Sequence, residues 1–158
     1  MLNIREHDMR IAIYALVLTI ASGSVAAAAT SSAIATVYQF VTGLNNGETK
    51  AALAACATPS SIVDDFPPHE WQGPTACADW ARDFGANNTK HGITGGIVTL
   101  AKPWHVDVSG DRAYVVVPAT YTYNVHGKPV TESGSILTVA LRKISDTWKI
   151  TGWAWAKR

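Results

Sequence analysis

The sequence predicts an α+β fold in which three N-terminal helices pack against a curved antiparallel sheet of about four long strands, plus a short extended piece. Apolar residues in the first half recur at three- and four-residue steps, the spacing of a helix face. From Ile93 onward the period becomes two, and turn residues separate the apolar runs, which is typical of an antiparallel meander. Helices first and strands afterwards favour this class over alternating α/β.

Composition indicates one globular domain. The chain has 158 residues, 47% of them hydrophobic and 16% charged, and lengths of roughly 100–200 residues usually correspond to one domain. Lys+Arg 13 against Asp+Glu 12 gives a net charge of +1. Because binding through phosphates requires a basic face, we predict no nucleic-acid partner.

Residues 1–28 have the pattern of a cleaved secretory signal. Arg5 and Arg10 precede the apolar stretch 11–21, and the small residues 22–29 follow it. A basic start, a short apolar core and an Ala-x-Ala end are typical of such signals. A helix over 11–21 spans about 16 Å, half of a roughly 30 Å bilayer core. We therefore expect export to the periplasm or the medium, no stable membrane anchor, and a mature domain over 29–158.

Two helices are expected directly after this leader. Ser31 or Ser32 can cap the first, and 45–47 ends it. The apolar face of this helix consists of Ile34, Val37, Val41 and Leu44. The second helix is expected over about 48–57, where Thr58 and Pro59 end it.

A third helix is expected from Gly73-Pro74 to Asn87-Asn88, because proline suits the first helical position. Cys56 lies on the apolar side of the second helix and Cys77 on that of the third. In an oxidising compartment such a pair can close, and the closed loop would stabilise the fold by about 3 kcal/mol. We favour a Cys56–Cys77 disulfide over two buried thiols.

The period-two pattern of the second half predicts four long strands, over 98–108, 112–125, 131–144 and 148–157. Pro103 and Pro118 each remove a backbone donor, so we expect edges, bulges or bends there. Both faces of the second strand are apolar, with Tyr114, Val116 and Pro118 on one and Val115, Val117 and Tyr121 on the other. Since helices cover one face only, we expect the other to self-associate as a homodimer.

Four ionisable groups cluster before the third helix: Asp64, Asp65, His69 and Glu70. In a strand, Asp64 and Asp65 point to opposite faces, so one can face the interior and the other solvent. A carboxylate in an apolar pocket has a raised pKa and can act as a general base or acid near neutral pH. His69 can share its proton. The alternative is a solvated turn ahead of Pro67-Pro68.

All six tryptophans follow residue 70, and such rings can line an apolar ligand cavity. The candidates for this lining are Trp71, Trp80, Trp153 and Trp155. Core packing and a dimer interface are the alternatives. Trp153 and Trp155 share one strand face, whereas Trp148 has the opposite parity unless a bulge intervenes.

Metal and nucleotide chemistry lack support in the sequence. His105 and Asp107 lie two apart on one strand face, which suits two ligands of a metal ion, but no third ligand is apparent nearby. The chain also has no phosphate-cradling glycine loop and no Gly-x-Ser-x-Gly elbow. We therefore predict no metal and no cofactor.

The order of elements resembles that of the nuclear transport factor 2-like superfamily, which includes SnoaL-like polyketide cyclases, ketosteroid isomerases and scytalone dehydratases. The segments that carry the resemblance are 62–66, 71–74 and 148–153. The resemblance covers nearly all of the mature chain and implies a cone-shaped sheet that encloses a cavity. Members of this superfamily include enzymes, ligand carriers and interaction domains, so the fold alone does not imply a reaction.

The resemblance also implies roles for particular residues. Isomerases of the superfamily place an acidic base and a hydroxyl donor inside the cone. In this chain Asp65 and His69 are the catalytic candidates, and Tyr38, Tyr121 or Tyr123 can supply the hydroxyl.

Together these observations predict an exported protein that binds a small apolar molecule in a cone cavity lined in part by Asp64. Acid–base chemistry of the isomerase, dehydratase or cyclase type is the reaction class that the resemblance suggests. The alternative is a non-catalytic module of the same fold that dimerises or binds another protein.

Overall fold

A computed structural model describes residues 21–157, which form three helices and seven strands. The helices are α1 (Ala21–Asn45), α2 (Thr49–Leu53) and α3 (Ala76–Lys90). The strands are β1 (Cys56–Val63), β2 (Glu70–Gly73), β3 (Ile93–Leu100), β4 (His105–Ser109), β5 (Arg112–Val125), β6 (Lys128–Ile144) and β7 (Thr147–Ala156). The predicted α+β class is confirmed. The predicted signal over 1–28 lies mostly outside the described residues and stays a prediction.

All seven strands form one open sheet in the order β2-β1-β7-β6-β5-β3, with β4 also paired to β5. The pairs β5–β6 and β6–β7 are antiparallel, as a meander requires. One pair is parallel: β1 lies beside β7, so the sheet is mixed rather than purely antiparallel. Bulges in β5–β6 and β6–β7 bend the sheet, and α1 and α3 pack against it.

The second helix is shorter than predicted, and Cys56 belongs to a strand. The N–H groups of Ala54 and Ala55 close the last turn on Lys50 and Ala52. The chain then joins the sheet, where the N–H of Ile150 donates to the carbonyl of Ala55 at 2.8 Å. Pairing with a distant strand therefore overrides the local helical preference of 54–57.

The ends of the other helices also differ from expectation. Ser32 does not cap α1, because its hydroxyl donates to the Ala28 carbonyl at 2.8 Å inside the helix. Helix α3 begins at Ala76, not at Gly73-Pro74. It continues through Asn87-Asn88 to Lys90 and ends before Gly92, whose φ of 65° allows the chain to leave the helix.

The two prolines of the sheet explain why the predicted strand 98–108 is split into β3 and β4. The chain breaks between Leu100 and His105, around Pro103. Both pieces pair with β5, on either side of Pro118. The N–H of Ala101 donates to the carbonyl of Pro118 at 2.9 Å. The N–H and C=O of one strand residue point to the same side. An N–H at position 118 would therefore point into the gap between β3 and β4, where no strand residue needs it, and proline is tolerated there.

A bulge in β7 brings tryptophans of unequal parity to one side of the sheet. Ile150 pairs with Leu141 and Gly152 with Ala140, which leaves one extra residue, Thr151, between them. Trp148, Ile150 and Trp153 are consequently all buried, at 4%, 0% and 6% exposure. The bulge that the sequence required for Trp148 and Trp153 to share one face is confirmed. It allows both halves of β7 to contribute side chains to the core.

A disulfide joins Cys56 to Cys77, with their Cα atoms 6.6 Å apart. The predicted pairing is confirmed, but it connects the start of β1 to α3 rather than two helices. It thereby connects the first turn of α3 covalently to the sheet. Among residues 21–157, no helix has both the length and the apolar character needed to cross a membrane.

Candidate functional site

The helices and the sheet enclose a cavity of about 360 Å³. Its interior carries aromatic rings from every side: Phe40 of α1, Trp80 and Phe84 of α3, Phe66 of the β1–β2 turn, and Tyr121, Tyr123, Trp153 and Trp155 of the sheet. Exposed Asp65, Pro67 and Lys157 form its rim. The cavity is therefore an apolar chamber with charged groups at one end.

Asp64 is a buried carboxylate in this aromatic chamber, with only 8% of the residue exposed. Its Oδ2 accepts a 2.8 Å hydrogen bond from the indole Nε1 of Trp80, and its Oδ1 accepts one of 2.8 Å from the backbone N–H of Asp65. Each oxygen keeps acceptor capacity, since a carboxylate oxygen has two lone pairs. Asp64 can therefore still bind a proton or a ligand donor.

The turn between β1 and β2 places Asp64 in the aromatic chamber. The N–H of Asp64 donates to the carbonyl of His69, and the N–H of His69 donates to that of Phe66, at 3.0 and 2.9 Å. The turn closes with His69 in the left-handed region at φ 75°. The imidazole Nδ1 of His69 lies 3.1 Å from the backbone carbonyl of Asp64, not from its carboxylate. The ring of His69 thus stabilises the turn outside the cavity.

Burial sets the protonation of Asp64. It raises the pKa of this carboxyl from 3.8 to about 6. The hydrogen bonds from Trp80 and from the N–H of Asp65 act in the opposite direction, and the negative charge of Asp65 adds to the rise. A carboxyl with a pKa near 6 can take up and release a proton close to neutral pH.

Tyr121 places a hydroxyl in the same chamber. This buried hydroxyl has no hydrogen-bond partner within residues 21–157. It lies against Gly96, where a Cβ would come within 2.5 Å of the oxygen. Burial raises the pKa of Tyr121 to about 12, so the phenol stays protonated and available as a donor.

A charged network crosses the rim of the cavity. The ammonium of Lys157 lies 2.6 Å from Oδ2 of Asp65 and 2.9 Å from Oε1 of Glu132. The hydroxyl of Tyr123 also donates to Oε1 of Glu132, at 2.6 Å. Burial alone would lower the pKa of Lys157, but its bonds to the two carboxylates outweigh this and hold the pKa well above its usual range.

The structure brings together most of the predicted pocket residues. Asp64, Trp80, Tyr121, Trp153 and Trp155 line the cavity, and Asp65 stands at its rim.

Three predicted site residues do not line the cavity. His69 supports the turn described above. Tyr38 is exposed on α1 and its hydroxyl donates to the carbonyl of Ala101 at 3.3 Å. Trp71 is buried, but its indole donates to the carboxylate of Asp83 at 2.9 Å.

Sequence reasoning missed Glu132 and Lys157. A signal for Lys157 was present: it lies two and four residues after Trp155 and Trp153, so strand alternation assigns it to the same face. Glu132 pairs across the ladder with Tyr121, a relation that depends on the register of β5 and β6.

The candidate metal pair has no third ligand in the described part of the chain. No group of three His, Cys, Asp or Glu side chains suited to a metal ion occurs between residues 21 and 157. The ring of His105 instead lies 6.0 Å from that of Tyr114, across the β4–β5 pair.

Comparison with known proteins gives matches in structure only. No family model matches this chain, and no curated protein matches its sequence. A LinA-type3 hexachlorocyclohexane dehydrochlorinase from Novosphingobium barchaimii superposes with a TM-score of 0.71 at 11% identity, covering 86% of this chain and 91% of that one. A ketosteroid isomerase-like protein from Erwinia carotovora atroseptica gives 0.64 at 15%, covering 81% and 95%.

An NTF2-like protein with a cystatin-like fold from Novosphingobium aromaticivorans gives a TM-score of 0.67 at 14% identity, covering 86% of both chains. These matches confirm that the chain has the nuclear transport factor 2-like fold. At such identities the likeness establishes architecture, and the function must be argued from the site.

Proposed function

We propose that this protein binds a small apolar molecule in the cone cavity and acts on it by acid–base chemistry, with Asp64 as the group that accepts and returns a proton. The observation that carries the proposal is a carboxylate, 8% exposed and with a pKa of about 6, among aromatic rings. The proposal includes export, for which the leader pattern and the Cys56–Cys77 disulfide give support.

The chemistry follows from two of the polar groups that line the chamber, Asp64 and Tyr121. Asp64 takes a proton from an acidic C–H of the ligand, and the electron pair of that bond moves onto an adjacent electron-withdrawing group. The phenol of Tyr121 donates a hydrogen bond to the oxygen on which charge develops. Asp64 then returns the proton to the same or another carbon, or a leaving group departs. Isomerisation, dehydration and cyclisation share this first step.

Asp64 suits this role better than the sequence candidates Asp65 and His69. The carboxylate of Asp65 lies at the rim and is already paired with Lys157, so it is not free inside the chamber to take a proton from a ligand. His69 lies outside the cavity lining.

Deuterium exchange tests the proposal without knowledge of the product. The protein is incubated in D₂O with a panel of steroids, polyketides, fatty acids and apolar amines, and mass spectrometry follows deuterium entering each compound. We expect exchange that falls at least about hundredfold in Asp64→Asn and is retained in Asp146→Asn, whose carboxylate is 96% exposed in the β6–β7 turn. Saturable binding without exchange would reduce the function to ligand carriage. The absence of both binding and exchange would refute the proposal.

The non-catalytic alternative has its own structural support. Across the outer face of the sheet, Val63, Ala154, Thr138 and Val116 form one cross-strand row, and Val63 is 48% exposed. We propose that a second copy of the chain covers this row. Light scattering of the wild type and of Val63→Lys tests it: a dimer that the lysine dissociates supports the alternative, and a monomeric wild type refutes it.

A further inference from the structure

The cavity carries more negative than positive charge. Its lining includes the carboxylates of Asp64, Asp65 and Glu132, and Lys157 is the one cationic side chain among the described lining residues. With all four ionised, the excess is two negative charges. The ammonium of Lys157 already forms ion pairs with Asp65 and Glu132 at the rim.

Asp64 is the carboxylate that this lysine does not neutralise. Its hydrogen bonds come from neutral donors, the indole of Trp80 and a backbone N–H. No Lys, Arg or His side chain in residues 21–157 forms an ion pair with it. Desolvated carboxylates without a cation are costly, and a neutral ligand that excludes water from the chamber adds to that cost.

Aromatic rings surround this unneutralised charge. Trp80 stacks on Phe84 with ring centroids 5.3 Å apart and meets Trp153 edge-on at 4.8 Å. Phe40 lies 6.1 Å from each of the two indoles. Rings of this kind attract cations through their negative faces while still accepting an apolar body.

The raised pKa of Tyr121 reflects in part the negative charges inside the cavity. Burial contributes most to raising its pKa, and the neighbouring groups that add to the rise include Glu132, Asp64 and Asp65.

We infer that the ligand is an apolar amine, bound as its cation, with the ammonium group facing Asp64 and the apolar body against the rings of Trp80 and Trp153. This inference rests on the proposed function, because it assumes that the cavity is the binding site. A cation lowers the desolvation cost of Asp64 more than a neutral hydrogen-bond donor does, and it is attracted by both the carboxylates and the ring faces. An anionic ligand meets repulsion from the same groups.

A pair of isosteric compounds tests the charge alone. Benzyltrimethylammonium and neopentylbenzene have the same shape and differ in a quaternary nitrogen replacing a quaternary carbon. Tryptophan fluorescence follows the titration of each into the full-length protein. At about pH 8, above the Asp64 pKa of about 6, we expect the cation to bind at least about tenfold more tightly than the neutral compound. The preference should shrink at about pH 5, where Asp64 is protonated.

Two variants locate the effect. Asp64→Asn should abolish most of the preference for the cation at pH 8, whereas Asp146→Asn should retain it; thermal melts confirm that each variant is folded. A preference unchanged in Asp64→Asn would overturn the inference, since the cation would then bind elsewhere. Tighter binding of neopentylbenzene would overturn it too but leave the proposed cavity function standing. Binding of neither compound up to millimolar concentration also overturns it, and deuterium exchange then judges the proposed function separately.

Discussion

The indole nitrogen of Trp80 lies 2.8 Å from Oδ2 of Asp64, and this hydrogen bond connects the turn after β1 to the N-terminal part of α3. Both residues are buried, at 4% and 8% exposure. The bond orients the carboxylate within the cavity and offsets part of the rise in pKa that burial causes. One tertiary contact therefore contributes to both the position and the acidity of the candidate base.

The burial of Asp64 should make stability depend on pH. Its pKa is raised in the folded state to about 6 from 3.8, so the folded protein binds the proton more tightly than the unfolded chain. The stability from this group is therefore complete below about pH 4 and is lost as the pH rises through 6, by at most about 3 kcal/mol.

Asp64→Asn removes this titration and allows a direct measurement. At pH 4 we expect the variant to be less stable than the wild type, because an amide nitrogen cannot accept the second hydrogen bond. At pH 8 this deficit should shrink or reverse. Urea unfolding at both pH values gives the difference, and a deficit that is equal at the two would contradict the raised pKa.

Trp80→Phe should raise the pKa of Asp64 further, because the ring loses the N–H that stabilises the charged carboxylate. The change should also cost about 1–3 kcal/mol of stability, since a buried acceptor loses its donor. A carboxyl ¹³C NMR titration measures the pKa. Trp71→Phe is the matched control: its indole bonds Asp83, so the Asp64 titration should stay near pH 6. Equal shifts in both variants would argue against a specific role for Trp80.

Gly96→Ala should weaken ligand binding by displacing the phenol of Tyr121, which a Cβ at this position would meet at 2.5 Å. We expect affinity for any cavity ligand to fall about tenfold or more, an effect of about 1.4 kcal/mol. Gly85→Ala in α3 provides the control, since a Cβ there meets nothing within 4 Å. It should leave binding intact and stabilise the helix by up to about 1 kcal/mol. Unaltered affinity in Gly96→Ala would contradict a contribution of Tyr121 to ligand binding.

Loss of the disulfide should lower stability by about 3 kcal/mol, the value that the chain-entropy model gives for a loop of this length. The double variant Cys56→Ala, Cys77→Ala should therefore unfold at lower urea concentration than the oxidised wild type, and reductant should affect only the latter. Intact mass spectrometry should find the wild type lighter by two hydrogen atoms before reduction. An unchanged mass on reduction would show that the bridge does not form.

The sequence by itself determined the fold class, the bounds of β5 over 112–125 and the pairing of Cys56 with Cys77. These features depend on signals in the sequence: period-two alternation, turn residues at each strand end, and a cysteine pair that follows an N-terminal leader pattern. The bulge that buries both Trp148 and Trp153 was also foreseeable, because parity alone could not place both rings in one core.

Only the tertiary structure decided which carboxylate is buried. Asp64 and Asp65 both lie beyond β1 in a turn, where strand alternation no longer assigns faces. Trp80 of α3 contacts one and Lys157 at the C-terminal end contacts the other. Adjacent aspartates thus acquire different surroundings, because burial and ion pairing depend on groups that the fold brings from distant parts of the chain.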